Sequence, residues 1–330
     1  MTGPIRRRPA SAPRVPGGAD WGLALALGTA LISGLAIYLN GFAVKQVPDA
    51  AVYTTLKNGV AAAILVGAVV ALRGPRAIFA VPRSSVPAAL AVGVIGGSVP
   101  FVLFFTGLAQ ASAPSAAFIQ KTLFLWVAVL AVPFLGERLG LATLLGLAGL
   151  LAGQALILPP TGIVWGTGET LILVATALWA IETVLVRRVL RAVPTETMAT
   201  LRMGVGLIVL VGYLAVTGKL AGIGALGATQ WSWIALTGLI LAAYVATWFA
   251  ALRRAPASVV TSVLVVGAAV TGALTAASKG TVPTAPVVVG YLLIVAAVAL
   301  IIVATRAAAR SVGSAVPAVS RSAPATADGD

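Results

Sequence analysis

Ten apolar blocks follow one another along the chain, at roughly 21–43, 50–72, 86–108, 112–134, 139–158, 168–187, 197–217, 230–252, 257–278 and 284–305. About 20 apolar residues in a helix cross the ~30 Å hydrocarbon layer of a bilayer. The pattern therefore predicts an all-α integral membrane fold with ten transmembrane helices. The links carry turn and helix-end residues, as at Val47, Pro48 and Asp49, at Gly136, Glu137 and Arg138, from Pro159 to Gly162, and at Val282 and Pro283. None is long enough for a soluble domain. Residues 1–20, rich in Arg and Pro, read as a disordered basic cytoplasmic arm, and 307–330 as a disordered cytoplasmic tail. The apolar run after Trp21 exceeds the roughly 7–15 residues of a signal core, so it reads as a retained first helix.

Composition narrows the chemistry. Hydrophobic residues make up 60% of the chain and charged ones 9%, with a mean hydropathy of +1.06; a soluble domain carries about 25% charged residues to solvate its surface. There is no cysteine and no histidine, which excludes disulfides, thiolate chemistry and His-based triads. No acid–base or metal constellation supports a membrane-embedded enzyme, and no cofactor is implied. The net charge of +14 does not point to nucleic acid, because the basic residues sit at helix ends. With the N-terminus cytoplasmic, sixteen of the 22 Lys and Arg fall on inner segments, and only Lys45, Lys219 and Lys279 on outer loops. That asymmetry predicts a multi-pass protein of the cytoplasmic membrane with both termini inside.

The chain also resembles itself at an offset of about 144–147 residues: Thr29 with Thr176, Pro48 with Pro194, Lys57 with Arg202, Gly136 with Gly280, and Gly146 with Gly290. Five spans per half means that the second half enters from the opposite side. The expectation is two inverted five-helix repeats, 21–160 and 161–306, the arrangement by which a carrier exposes one site alternately to each face. The stretches 107–117 (GLAQASAPSAA), 133–140 (PFLGERLG) and 145–153 (LGLAGLLAG) resemble the drug/metabolite transporter superfamily, specifically its EamA-type members. The resemblance covers about 21–305. It implies a ten-helix, two-repeat carrier, often an exporter of amino acids, other metabolites or toxic compounds. The second half departs from the pattern at Gly280, which is followed by Thr281 and Val282 rather than Glu and Arg.

Four ionisable residues fall inside spans: Lys57, Lys121, Glu182 and Arg202. A charge at a helix centre costs ~3 kcal/mol on insertion scales, so such residues normally face a wet cavity or a partner. Lys121, with Gln120 beside it, reads as an ammonium that holds a substrate carboxylate or phosphate, or else as the ion-pair partner of Glu182. Lys57, with Asn58 and Thr54 nearby, and Arg202 hold equivalent positions and read as paired gate or substrate contacts, or as side chains snorkelling to the interface. Glu182 pairs with Arg187, Arg188 or Arg202, binds a cationic substrate, or carries a coupling proton. Trp179 and Phe104 are candidate cavity linings. Residues 96–100 (GGSVP) predict a break in the third span. Gly93 with Gly97, and Gly149 with Gly153, read as helix contacts, and Glu137 as a cap on the fifth span.

The resulting expectation is a membrane carrier and exporter of a small metabolite such as an amino acid or organic acid. Its partners are that substrate and the lipid bilayer. A multidrug-type exporter of amphipathic cations and a non-transporting scaffold are the alternatives.

Overall fold

The computed structural model describes residues 18–108, 110–111, 113–157 and 164–314. The basic arm before residue 18, the turn from Pro159 to Gly162 and the tail after residue 314 lie outside the described residues. Those residues form helices without strands: α1 (Gly18–Gln46), α2 (Ala50–Arg73), α3 (Val86–Gly97), α4 (Val99–Leu108), α5 (Ala113–Lys121), α6 (Leu123–Leu135), α7 (Leu141–Ile157), α8 (Thr167–Val189), α9 (Thr195–Val216), α10 (Ala228–Arg254), α11 (Ala257–Leu264), α12 (Val266–Lys279) and α13 (Ala285–Ser314). Among the described residues, nine helical segments are long and apolar enough to cross a membrane, and the span expected at 139–158 is the shorter apolar helix Leu141–Ile157. Helix α13 runs to Ser314, beyond the expected end at 305. The added stretch is rich in alanine, the best helix former, and Arg306 within it pairs with Asp20 at 2.7 Å.

Three of the spans are broken. The expected break in the third falls at Ser98, between α3 and α4. Pro100 has no N–H to return to the Gly96 carbonyl, and the Phe101 N–H turns to Ser98 instead, at 3.0 Å. Two carbonyls in the membrane interior, those of Gly96 and Gly97, are thereby released. The fourth span breaks at Thr122, where the Leu125 N–H bonds Thr122 rather than Lys121. The ninth breaks at Val265, a feature the sequence reading did not locate although Val265 matches Lys121 at the repeat offset.

Helix packing uses the glycines as expected. A Cβ at Gly153 would stand 2.9 Å from the Gly290 carbonyl oxygen, and one at Gly149 3.1 Å from Ala297, so α7 and α13 touch backbone to backbone. A Cβ at Gly97 would stand 2.8 Å from Gly206, joining α3 to α9 in the same manner. Several contacts come in pairs whose numbering shifts by one repeat. Gly93 faces Val205 and Gly238 faces Val60; Gly146 faces Ile301 and Gly290 faces Ile157.

Chain ends of successive helices collect at two poles. At one, Asp49 meets Lys219 at 2.9 Å. At the other, Glu137 meets Ala257, Arg188 meets Phe134, and Thr197 meets Ala77. Placing a branched side chain in the α7–α13 seam, as in Gly153→Val, should cost about 1–3 kcal/mol by overpacking. Thermal unfolding in detergent reads this as a lowered midpoint. Gly28→Ala, whose Cβ meets nothing within 4 Å, should leave the midpoint in place.

Candidate functional site

The two carbonyls released at the third-span break are each taken by a polar side chain. Arg202 on α9 donates from Nη2 to the Gly96 oxygen at 2.8 Å, from Nε to Glu182 Oε1 on α8 at 2.7 Å, and from Nη1 toward Met203 Sδ at 3.4 Å. Asn58 on α2 donates from Nδ2 to the Gly97 oxygen at 3.5 Å. Arg202 and Glu182 are only 8% and 3% exposed, so the pair is neutralised inside the protein and neither side chain snorkels. The Glu182 carboxyl group occupies the space that a Gly96 Cβ would need. Of the partners weighed for Glu182, namely Lys121, Arg187, Arg188 and Arg202, the structure selects Arg202.

Lys121 closes α5 at the break in the fourth span and is half-buried. Its released carbonyl accepts from Gln154 Nε2 at 3.4 Å. No hydrogen bond or ion pair of its ammonium is found among the described residues, and Gln120 beside it is also half-buried. Lys57 is buried at 8% exposure and faces α1, whereas Asn58 faces α3. Its ammonium donates to Asn40 Oδ1 at 3.1 Å and lies 5.1 Å from the centre of the Tyr53 ring. The Tyr53 hydroxyl lies 2.6 Å from Asn40 Oδ1 and 2.9 Å from Thr237 Oγ1. Lys57 and Arg202 thus match in sequence position but not in chemistry, since only Arg202 has a carboxylate. Sequence reasoning missed Asn40, Tyr53 and Thr237. Asn40, a lone amide late in the first span, was the signal that could have found them.

Above the break, Phe101 and Phe104 pack on Trp179 at ring-centre distances of 5.3 and 5.7 Å, and Phe105 on Phe104 at 5.6 Å. Trp179 precedes Glu182 by one turn of α8, so this aromatic cluster lies on the Asp49 side of the ion pair. Beyond it a cavity of about 340 Å³ is lined by Thr54, Phe101, Phe105, Leu210, Tyr213 and Lys219 among others. Thr54 is 1% exposed, and its hydroxyl has no partner among the described residues; one turn deeper on the same face of α2, Asn58 Oδ1 has none among them either. A second cavity of about 380 Å³, around Gln110 and Gly166 to Glu169, adjoins at the same pole.

At the rim, Asp49 caps α2, accepting from the Ala51 and Val52 N–H groups at 2.7 and 3.1 Å. Burial pushes its carboxyl up, but the Lys219 hydrogen bond and these N–H groups outweigh burial and hold it below its ordinary value of 3.8. The Asp49 hydrogen bond in turn raises Lys219. This tie is intact at neutral pH and is lost as pH falls through the depressed Asp49 value.

Glu137 does not cap the fifth span. Helix α7 begins four residues later, at Leu141, too far on for its first N–H groups to meet the carboxylate. Glu137 instead accepts from the Ala257 N–H at 2.6 Å, the Ser258 N–H at 3.2 Å and the Ser258 hydroxyl, capping α11 in the other half of the chain.

Crossing helices, a charge pair buried within the bundle and cavities at one end of it define a polytopic membrane protein with a polar interior. The EamA-like transporter family model matches residues 20–158 and again 166–303, and the chain belongs to that family. It is a membrane transporter of the drug/metabolite superfamily, built as two family repeats. No curated protein is similar enough to count as a match. A solved structure described only as "Crystal structure of protein" is similar in fold, with a TM-score of 0.68 at 20% identity over 90% of this chain and 99% of its own.

The buried pair supplies a direct energetic test. Glu182→Leu or Arg202→Met alone leaves one uncompensated interior charge and should cost about 3–5 kcal/mol, whereas the double replacement should cost less than either. A double-mutant cycle on thermal unfolding midpoints in detergent measures the difference.

Proposed function

We propose that the protein is a carrier in the cell membrane, with ten crossings and both termini cytoplasmic, that exports a small metabolite bearing a negative group, such as an amino acid or organic acid. In this reading two inverted five-helix repeats, related by a pseudo-two-fold axis, rock about a shared site. The paired contacts Gly93–Val205 with Gly238–Val60, and Gly146–Ile301 with Gly290–Ile157, support a two-fold relation, because each contact recurs with the roles of the two halves exchanged, and five crossings per half would make that relation an inverted one.

The observation that carries the reading is the cavity of about 340 Å³ between the repeats. Asp49 to Gln110 line it from the first half, and Leu210, Tyr213 and Lys219 from the second. Its size lies within the range of small-molecule pockets, ~300–1,000 Å³. Its floor offers the Thr54 hydroxyl, and one turn below it, behind the lining, is the Asn58 carbonyl; among the described residues neither has a partner.

The sign of the substrate follows from the interior charges. Glu182 is occupied by Arg202, so Lys57 and Lys121 remain as interior cations without a carboxylate, and the interior favours a negative group. Lys57, Lys121, Gln120, Phe104 and Trp179 lie outside the lining of that cavity, and in this reading the substrate reaches them deeper in the bundle as the halves rock. The same pairing weakens the alternative of an amphipathic-cation exporter, for which Glu182 would be the anchor, and leaves Glu182 as a coupling-proton site only if Arg202 lets go.

Purified protein in liposomes tests this. Flux of anionic or zwitterionic metabolites should be seen for the wild type and fall about tenfold or more in Lys121→Ala, the scale of a lost charge-assisted hydrogen bond, with the unfolding midpoint unchanged. If only cations move, or Lys121→Ala carries the anions equally well, the anionic-substrate reading is wrong. Absence of any substrate-dependent flux would favour a scaffold.

A further inference from the structure

The two poles of the bundle are held very differently. At the Glu137 pole, the halves of the chain are joined by Glu137 to the first turn of α11, by Arg188 to the Phe134 carbonyl at 2.6 and 3.0 Å, by Thr197 to the Ala77 carbonyl at 2.9 Å, and by Arg73 to Glu196 at 2.8 Å. On the Asp49 side the halves meet through Asp49 and Lys219 at 2.9 Å and, deeper in the bundle, through Tyr53 with Thr237 at 2.9 Å and Thr271 with the Gly34 carbonyl at 2.8 Å, and both cavities open at that pole.

Glu137 is a member of this set that the repeat itself marks as one-sided. The turns at Gly136 and Gly280 are built alike, with left-handed backbones at φ +69° and +62°. After Gly136 comes a carboxylate; after Gly280 comes Thr281, which has none. The bond to be broken is also a strong one. Helix α11 is the short first segment of a broken span, and its opening N–H groups have no intrahelical acceptors. Glu137 takes two of them together with the Ser258 hydroxyl, and charge-assisted bonds of this kind exceed neutral ones. Rocking the halves apart at this pole pulls the carboxylate away from α11, whereas the matching turn at Gly280 presents Thr281 in its place.

We infer that Glu137 is a one-sided conformational latch: its grip on α11 makes the conformation closed at the Glu137 pole and open at the Asp49 pole the resting state of the carrier. Its place in a transport cycle rests on the carrier reading, but the latch itself is a property of the substrate-free chain.

The absence of native cysteine makes single-cysteine reporters clean. Thr106→Cys reports the cavity at the Asp49 pole, where Thr106 is exposed. Ala131→Cys reports the seam at the Glu137 pole, where Ala131 is 0% exposed. Maleimide modification is timed for each in the full chain, in detergent and in liposomes, without substrate. In the native background Thr106→Cys should react fast and Ala131→Cys slowly. Adding Glu137→Gln, which keeps the shape and removes the charge, should speed Ala131→Cys by about tenfold, a population shift of about 1.4 kcal/mol, and slow Thr106→Cys. Ser258→Ala, which removes one of three donors, should shift both rates the same way by less, and it provides the test if Glu137→Gln does not fold.

Unchanged rates in a folded Glu137→Gln protein would reduce Glu137 to a helix cap. A rise at both reporters would signal loosening rather than switching and would overturn the latch as well. The latch fails alone if flux persists with labelling unmoved by Glu137→Gln, and the carrier reading fails alone if labelling switches but no flux is found.

Discussion

The interior of a membrane offers no water to a carbonyl or a charge, so every polar group placed there must find its partner within the protein. The Arg202 guanidinium and the break in the third span answer that demand for each other. Pro100 strips the Gly96 carbonyl of its helical donor, and Arg202 takes up that carbonyl while Glu182 neutralises its charge. Gly96 must lack a side chain, because the Glu182 carboxyl group stands where its Cβ would be. One cluster thus holds α3, α8 and α9 together across both halves of the chain, and Asn58 extends it to α2 through the Gly97 carbonyl. The aromatic cluster of Phe101, Phe104 and Trp179 and the cavity beyond it are built on this support.

The same demand is met differently around the other interior cations. Lys57 is surrounded by neutral acceptors and an aromatic face, in a group of Asn40, Tyr53 and Thr237 that joins α1, α2 and α10. Lys121 has its carbonyl engaged by Gln154, and its ammonium has no partner among the described residues. The family repeats therefore share a backbone plan while carrying unlike charges at matching positions. A protein whose two halves exchange roles needs the common plan, and a protein that favours one substrate or one direction needs the difference. The unequal poles, with Glu137 on one side and Thr281 on the other, belong to the same pattern of shared geometry and divided chemistry.

Much of this architecture was legible in the chain because bilayer thickness acts directly on sequence. Block length predicted the spans to within a few residues. The glycine pairs at 93 and 97 and at 149 and 153 predicted close helix contacts, and residues 96–100 predicted the first break. The extension of α13 to Ser314 was missed because nothing about hydrophobicity ends a helix that alanine continues into water.

The candidate site was legible only as a set of residue types. An unpaired charge in an apolar run announces that a partner exists without saying which, because partners on different helices are set by how those helices pack. Glu182 had Lys121, Arg187, Arg188 and Arg202 within plausible reach in sequence terms, and only the packing of α8 on α3 and α9 selects Arg202. Glu137 misled for the same reason: local spacing put it before the fifth span, while the folded chain brings α11, 120 residues further on, to its carboxylate. By itself the sequence determined the membrane-spanning helices, the twofold repetition and the identity of the buried charges, since these follow from solvation and local periodicity. The tertiary structure alone decided which charges meet, which carbonyls they satisfy and which pole is tied, since those are contacts between segments far apart in the chain.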